Sequence, residues 1–354
     1  MLTINPDGFT ARKAKTFQAE KVKKSIIYLV NECIKKLKLQ DEKITSTCSL
    51  LKNIRECNPE IHFLHYQLQT AMRQQDVSNT RLYLEKTIKA VNNHSLSQDI
   101  CIASIGNTEW EAFAVAEAIR LTREDCGREA EIRPASNAEL ELAANSIAGA
   151  LESMRNHDPD MLDEIQEHVL LIRLFAGKVT MGFTDERILG AMMLRLPGDN
   201  IDPVLYYIEH IVHEASHMHL NCLMSMDPLI LNARDERFIS PIRPDPRPMT
   251  GVFHATFVSA KIARTFMKIY QSTKNADLLH PLAETLDETL RGLNEIQRHA
   301  KLTSHGKALI TSVGSFVKEA ISLPEWQMYG FNQCRSHRFG TGKTRVNDLY
   351  KAVA

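Results

Sequence analysis

Tyr206-Tyr-Ile-Glu-His-Ile-Val-His-Glu-Ala-Ser-His-Met-His-Leu-Asn221 decides how the rest of the chain is read, because it contains His213-Glu-Ala-Ser-His217, an H-E-x-x-H sequence. Two histidines four apart on a helix project from one face, one turn above the other. That is the separation two imidazole nitrogens need to bind one metal ion. Glu214 lies about 100° further round, where a carboxylate reaches a metal-bound water rather than the metal. Ile208, Ile211, Val212, Ala215 and Leu220 supply an apolar surface, and no Gly or Pro interrupts them. The alternative is a buried histidine pair in an ordinary core helix. His210 shares the face of His213 and His217 but sits at a helix-packing position, and His219 points elsewhere.

Composition narrows the function classes. A chain of 354 residues holds one large or two ordinary domains, and its formal net charge is +0. Nothing global therefore argues for nucleic acid or an anionic membrane. No run of about 18 apolar residues exists, and the N-terminus lacks the apolar segment of a signal peptide. Cys33, Cys48, Cys57, Cys101, Cys126, Cys222 and Cys334 are odd in number and scattered, with no C-x-x-C. That usage suits reduced thiols in a cytoplasmic protein.

Outward from the motif, periodicity predicts a mainly α chain with a small β-sheet, an α+β fold. An amphipathic helix spans 10–40, with helices at 61–73, 80–92 and 109–125 and another opening at the capping-box-like Ser136-Asn-Ala-Glu139. Residues 1–60 hold 12 Lys and Arg against 7 Asp and Glu, an excess that suits a solvated helix face or a docking surface for an acidic peptide. Asn92-Asn-His-Ser-Leu-Ser is turn-rich and marks a possible sub-domain boundary. Three short apolar runs beginning at His168, Lys178 and Ile188 read as strands. Asp202-Pro203 opens the metal helix with Asp as N-cap. A small sheet followed directly by such a helix is the layout of zincin-like catalytic cores, in which an edge strand can hold an extended peptide. Helices are expected at 251–272, 278–300 and 304–320. The expected division is a helical region 1–160, a metal-binding catalytic domain 161–325 and a basic tail 326–354. Gly340-Thr-Gly-Lys-Thr in that tail lacks the first glycine of a phosphate-binding loop.

An open metal site takes three protein ligands. The metzincin extension fails, since Leu220 and Leu223 stand where glycine and histidine are needed. Glu236 is poorly placed among charged loop residues. His254, early in an apolar helix behind the proline-rich Ser240-Pro-Ile-Arg-Pro-Asp-Pro-Arg-Pro248, is the better third ligand, with a core histidine as the alternative. Arg243 and Arg247 flank Asp245 on that stiff segment. Either they capture a substrate carboxylate by two-point hydrogen bonding or they form surface ion pairs with Asp245.

His213-Glu-Ala-Ser-His217, Arg243-Pro-Asp-Pro-Arg-Pro-Met-Thr-Gly-Val-Phe-His254 and Leu302-Thr-Ser-His-Gly-Lys-Ala-Leu309 together resemble the H-E-x-x-H-type, 2-oxoglutarate-dependent peptide β-hydroxylases of ribosomal peptide natural-product pathways. The apolar strands with Gly190 before the metal helix fit as well. The likeness covers roughly the C-terminal half, and His305 departs from the pattern of the last motif. It implies Fe(II) held by His213, His217 and His254, with 2-oxoglutarate chelating the ion and its far carboxylate on Arg247 or Arg243. Oxygen would be the co-substrate and a precursor peptide the partner, hydroxylated at a side-chain β-carbon. Glu214 would then orient a water or a histidine. Histidine ligands alone do not separate Fe(II) from Zn(II). A zinc peptidase with Glu214 as general base is therefore the competing reading, and a binding protein with a structural metal is the third.

Overall fold

The computed structural model describes residues 2–37, 42–95, 99–243 and 245–323. The expected basic tail lies outside them. The described chain is mainly helical with a small mixed five-stranded sheet. In order it runs α1 Gly8–Leu37, α2 Glu42–Asn53, α3 Pro59–Arg73, α4 Val77–Asn92, β1 Cys101–Ser104, α5 Glu109–Cys126, β2 Glu131–Pro134, α6 Asn137–His157 and α7 Pro159–His168. It continues β3 Leu171–Lys178, β4 Gly182–Thr184, β5 Ala191–Arg195, α8 Pro203–Met226, α9 Met249–Thr273, α10 Leu279–His299 and α11 Ser304–Ile321. No helix among them is long and apolar enough to cross a membrane.

Two compact units emerge. One comprises Met1–Gly8, Ser146–Ile165 and Asp202–Ala354, and the other Phe9–Asn145 and Gln166–Ile201. In the second unit β3 is the central strand. It pairs in parallel with β5 along one edge, and its other edge is shared by β1 (parallel) and β2 (antiparallel); β4 closes the far side against β5. Gly177 is dictated by this pairing, because a Cβ there would stand 1.7 Å from the Glu131 carbonyl oxygen. Val22, Ile26, Val30, Leu64, Leu68, Phe175 and Met193 belong to one core that joins helices to this sheet.

The sheet departs from expectation in three ways. Residues 168–170 do not begin a strand: His168 ends α7, a helix that the turn-like His157-Asp-Pro-Asp conceals. Lys178 ends β3, and Val179 adopts a left-handed backbone (φ 74°) before β4 begins at Gly182. β1 and β2 were not anticipated, since both are only four residues long, none of their residues is buried, and they lack the in–out alternation that marks a strand.

The first unit positions the H-E-x-x-H helix. Asp202 caps α8 as expected, its Oδ1 accepting from the N–H groups of Val204 and Leu205 at 2.8 and 3.1 Å, with Pro203 in the first turn. Ile208, Ile211 and Val212 on α8, Phe253 and Phe257 on α9, and Leu286 and Leu290 on α10 are all buried. Each contributes roughly 1.5–3 kcal/mol of hydrophobic stabilisation. α9 and α10 approach closely at Gly292, where a Cβ would lie 2.0 Å from Thr256 Oγ1.

Candidate metal centre

His213 and His217, one turn apart on α8, turn the same ring atom toward each other: their Nε2 atoms are 3.2 Å apart. Two nitrogens each about 2.1 Å from a shared ion are separated by about this distance, so the pair fits a metal as it stands. Both residues are half-buried. Burial, reinforced by His213 and His254, holds the pKa of His217 well below the ordinary histidine value. A neutral imidazole is the form that binds metal.

His254, in the second turn of α9, is brought to the same place. Its Nδ1 is 3.2 Å from His217 Nδ1 and the two rings stack at 5.5 Å. Burial lowers its pKa to about 4. It meets the opposite nitrogen of His217 from the one facing His213, so the three rings form a chain rather than a convergent trio. Accordingly, among the described residues no group of three or more His, Cys, Asp or Glu side chains is arranged to hold an ion.

The remaining candidates divide. Glu214 is buried beside the pair on α8. His210 is a packing histidine: its ring stacks on Tyr206 at 4.0 Å, and its Nδ1–H donates to the Tyr206 carbonyl at 2.8 Å. Because a carbonyl only accepts, Nδ1 carries the proton. His219 stacks on Phe257. Glu236 is engaged elsewhere, accepting from Asn232 at 2.9 Å with Lys301 at 3.5 Å.

The arginine segment is stiffer than proline content alone requires. Phe238 and Arg247 exchange backbone hydrogen bonds of 2.8 Å in both directions, closing the loop immediately before α9. Ser240 Oγ accepts from the Ile242 and Arg243 N–H groups inside it. Arg247 Nε lies 2.7 Å from Asp245 Oδ2, the ion pair that the sequence allows as the alternative to substrate capture. Arg247 precedes α9, but its Cβ lies 3.4 Å from where a Gly251 Cβ would stand, and Gly251 and His254 are three residues apart on α9, neighbours on the helix surface. Gly251 is exposed.

His305, in the last motif, reaches back to the end of α8. Its Nδ1 lies 2.9 Å from Asp227 Oδ2, while Thr303 Oγ1 donates to Asp227 Oδ1 at 2.7 Å, so the end of α8 is tied to the start of α11. Compared with known proteins, the chain matches no protein-family model and no curated protein.

Proposed function

We propose that the chain is an Fe(II)- and 2-oxoglutarate-dependent oxygenase that hydroxylates a side-chain β-carbon of a ribosomally made precursor peptide, on a zincin-like sheet-plus-helix core. The facing Nε2 atoms of His213 and His217 carry this reading. Its second support is an arginine loop, closed by the Phe238–Arg247 backbone pair, that leads directly into α9, the helix bearing His254. When bound, the ion together with 2-oxoglutarate and oxygen supplies the oxidising power that a C–H bond requires.

The protein's own groups have separable tasks. His213 and His217 would hold the ion through Nε2. His254 is the proposed third ligand, and reaching the same ion requires one imidazole to turn, because its Nδ1 now meets the far nitrogen of His217. Arg247, with Arg243 from the same loop, would take the far carboxylate of 2-oxoglutarate; that carboxylate would replace Asp245 on Arg247 as a two-point acceptor. Gly251, with no side chain, would leave room beside Arg247 for that carboxylate. Glu214 would orient a water or a histidine from beside the pair.

The same two histidines with buried Glu214 as general base also suit a zinc peptidase. Calorimetry of 2-oxoglutarate added to anaerobic Fe(II)-loaded protein separates the two. The oxygenase reading expects metal-dependent binding that weakens in Arg247→Ala. Tight zinc, no 2-oxoglutarate binding, and a peptide-cleaving activity lost in Glu214→Gln would establish the peptidase instead.

A further inference from the structure

α9 carries two cations in its apolar interior. Lys261 Nζ lies 2.7 and 2.8 Å from the two carboxylate oxygens of Glu164 on α7, and both side chains are 1% exposed. One turn on, Arg264 Nη1 lies 2.8 and 2.7 Å from the carboxylate of Asp158, which also accepts from Thr265. α8 joins the first pair: His219 Nε2 is 3.8 Å from Glu164 Oε2, and its ring stacks on Phe257, over which Lys261 Nζ also sits at 5.5 Å.

Stability does not account for this cluster. Removing two charges from water consumes most of what their attraction returns, and a well-packed apolar pair of similar volume is often as stable or more so. Geometry offers another account. His217 touches His254, and two residues further along α8 His219 touches Phe257, three residues past His254. Lys261 is one turn beyond Phe257 and is held by Glu164 from a third element. Glu164 on α7 thus faces both helices, holding Lys261 of α9 at both carboxylate oxygens and standing 3.8 Å from His219 of α8, so sliding α9 along α8 would draw Lys261 away from the carboxylate beside His219.

We propose that Glu164, Lys261 and His219 are positioning residues, which fix the register of α9 against α8 and thereby the approach of His254 to His213 and His217. The inference rests on reading those three histidines as a metal centre.

The test uses cobalt(II) as probe on the full chain, comparing Lys261→Met/Glu164→Leu with Arg264→Met/Asp158→Leu. Melting temperature, cobalt affinity and the visible cobalt spectrum are all recorded. The first variant is expected to stay folded, to bind cobalt about tenfold or more weakly, as loss of an outer partner does, and to show shifted bands. The second, farther from His254, should bind cobalt as the parent does. If Lys261→Met/Glu164→Leu does not fold, Lys261→Arg keeps the charge but displaces α9 through its larger head group, and the same spectral shift is expected. A folded variant with parental affinity and spectrum overturns the positioning role. A parent protein that takes up no cobalt overturns the metal-centre reading itself, and this inference with it.

Discussion

α3 carries His62 and His65 three residues apart, and α8 carries His213 and His217 four apart. In both helices the histidines lie within the protein, and in both burial depresses titration: His62 to about 3, His65 to about 4, and His217 well below the ordinary value. The nitrogens separate them. His65 Nε2 is hydrogen-bonded to Ser25 Oγ at 2.8 Å, a hydroxyl that also accepts from Gln69. His213 and His217 instead present Nε2 to Nε2 at 3.2 Å, with His254 against the outer ring. Burial and a lowered pKa therefore do not mark a metal site. What sets the α8 pair apart is that its two ring nitrogens face each other, and the α3 pair is the internal control.

The comparison breaks most directly by substitution on α8. His213→Ala should weaken Fe(II) or Co(II) binding by more than the roughly 10–100-fold that loss of an outer partner causes. His65→Ala should leave metal affinity unchanged in the same titration.

Acid acts on both regions. His62 and His254 have folded pKa values below the unfolded value of about 6.5, so the unfolded chain takes up the proton first. Stability is then fully present above pH 6.5 and is lost as pH falls, through about 4 for His254 and about 3 for His62. Each buried group contributes a slope approaching roughly 1.4 kcal/mol per pH unit inside its window. Denaturant midpoints between pH 7 and 4 should fall, and His62→Phe should flatten the curve. An unchanged slope in that variant would mean that His62 is charged in the folded protein.

A smaller effect is expected at the loop. Arg247→Ala removes a charge-assisted carboxylate contact of about 1.5–3 kcal/mol, and should lower 2-oxoglutarate affinity by roughly 10- to 100-fold with metal binding intact. The smallest is Ser25→Ala, which deletes the hydroxyl serving His65. A loss of about 1 kcal/mol in chemical denaturation, with no change at the metal, is the expected outcome.

Much of the site helix was legible because its signals are local. Asp202-Pro203 marks the start of α8, and the apolar stripes of α9, α10 and α11 place those helices to within two residues. Four-residue spacing likewise suffices to bring His213 and His217 together. What escaped depends on distant partners or on local conformations the sequence does not announce. β1 and β2 are strands only because β3 offers them an edge. Val179 holds a left-handed backbone that a β-branched residue rarely adopts, which ends β3 where pattern alone would continue it. The pairing of Lys261 with Glu164, 97 residues away, leaves no local mark except two cations inside an otherwise apolar helix. That signal was available, because charges at such positions require buried partners. His254 was legible as a candidate, but which nitrogen of His217 it meets was not.

The most direct test of the central claim is anaerobic. Fe(II) is added to metal-free protein, 2-oxoglutarate is titrated, and the weak visible charge-transfer band of a chelated complex is sought. The account predicts a band that saturates with 2-oxoglutarate, disappears in His213→Ala, weakens in Arg247→Ala and persists in His65→Ala. A protein that forms no band while retaining zinc tightly would contradict it.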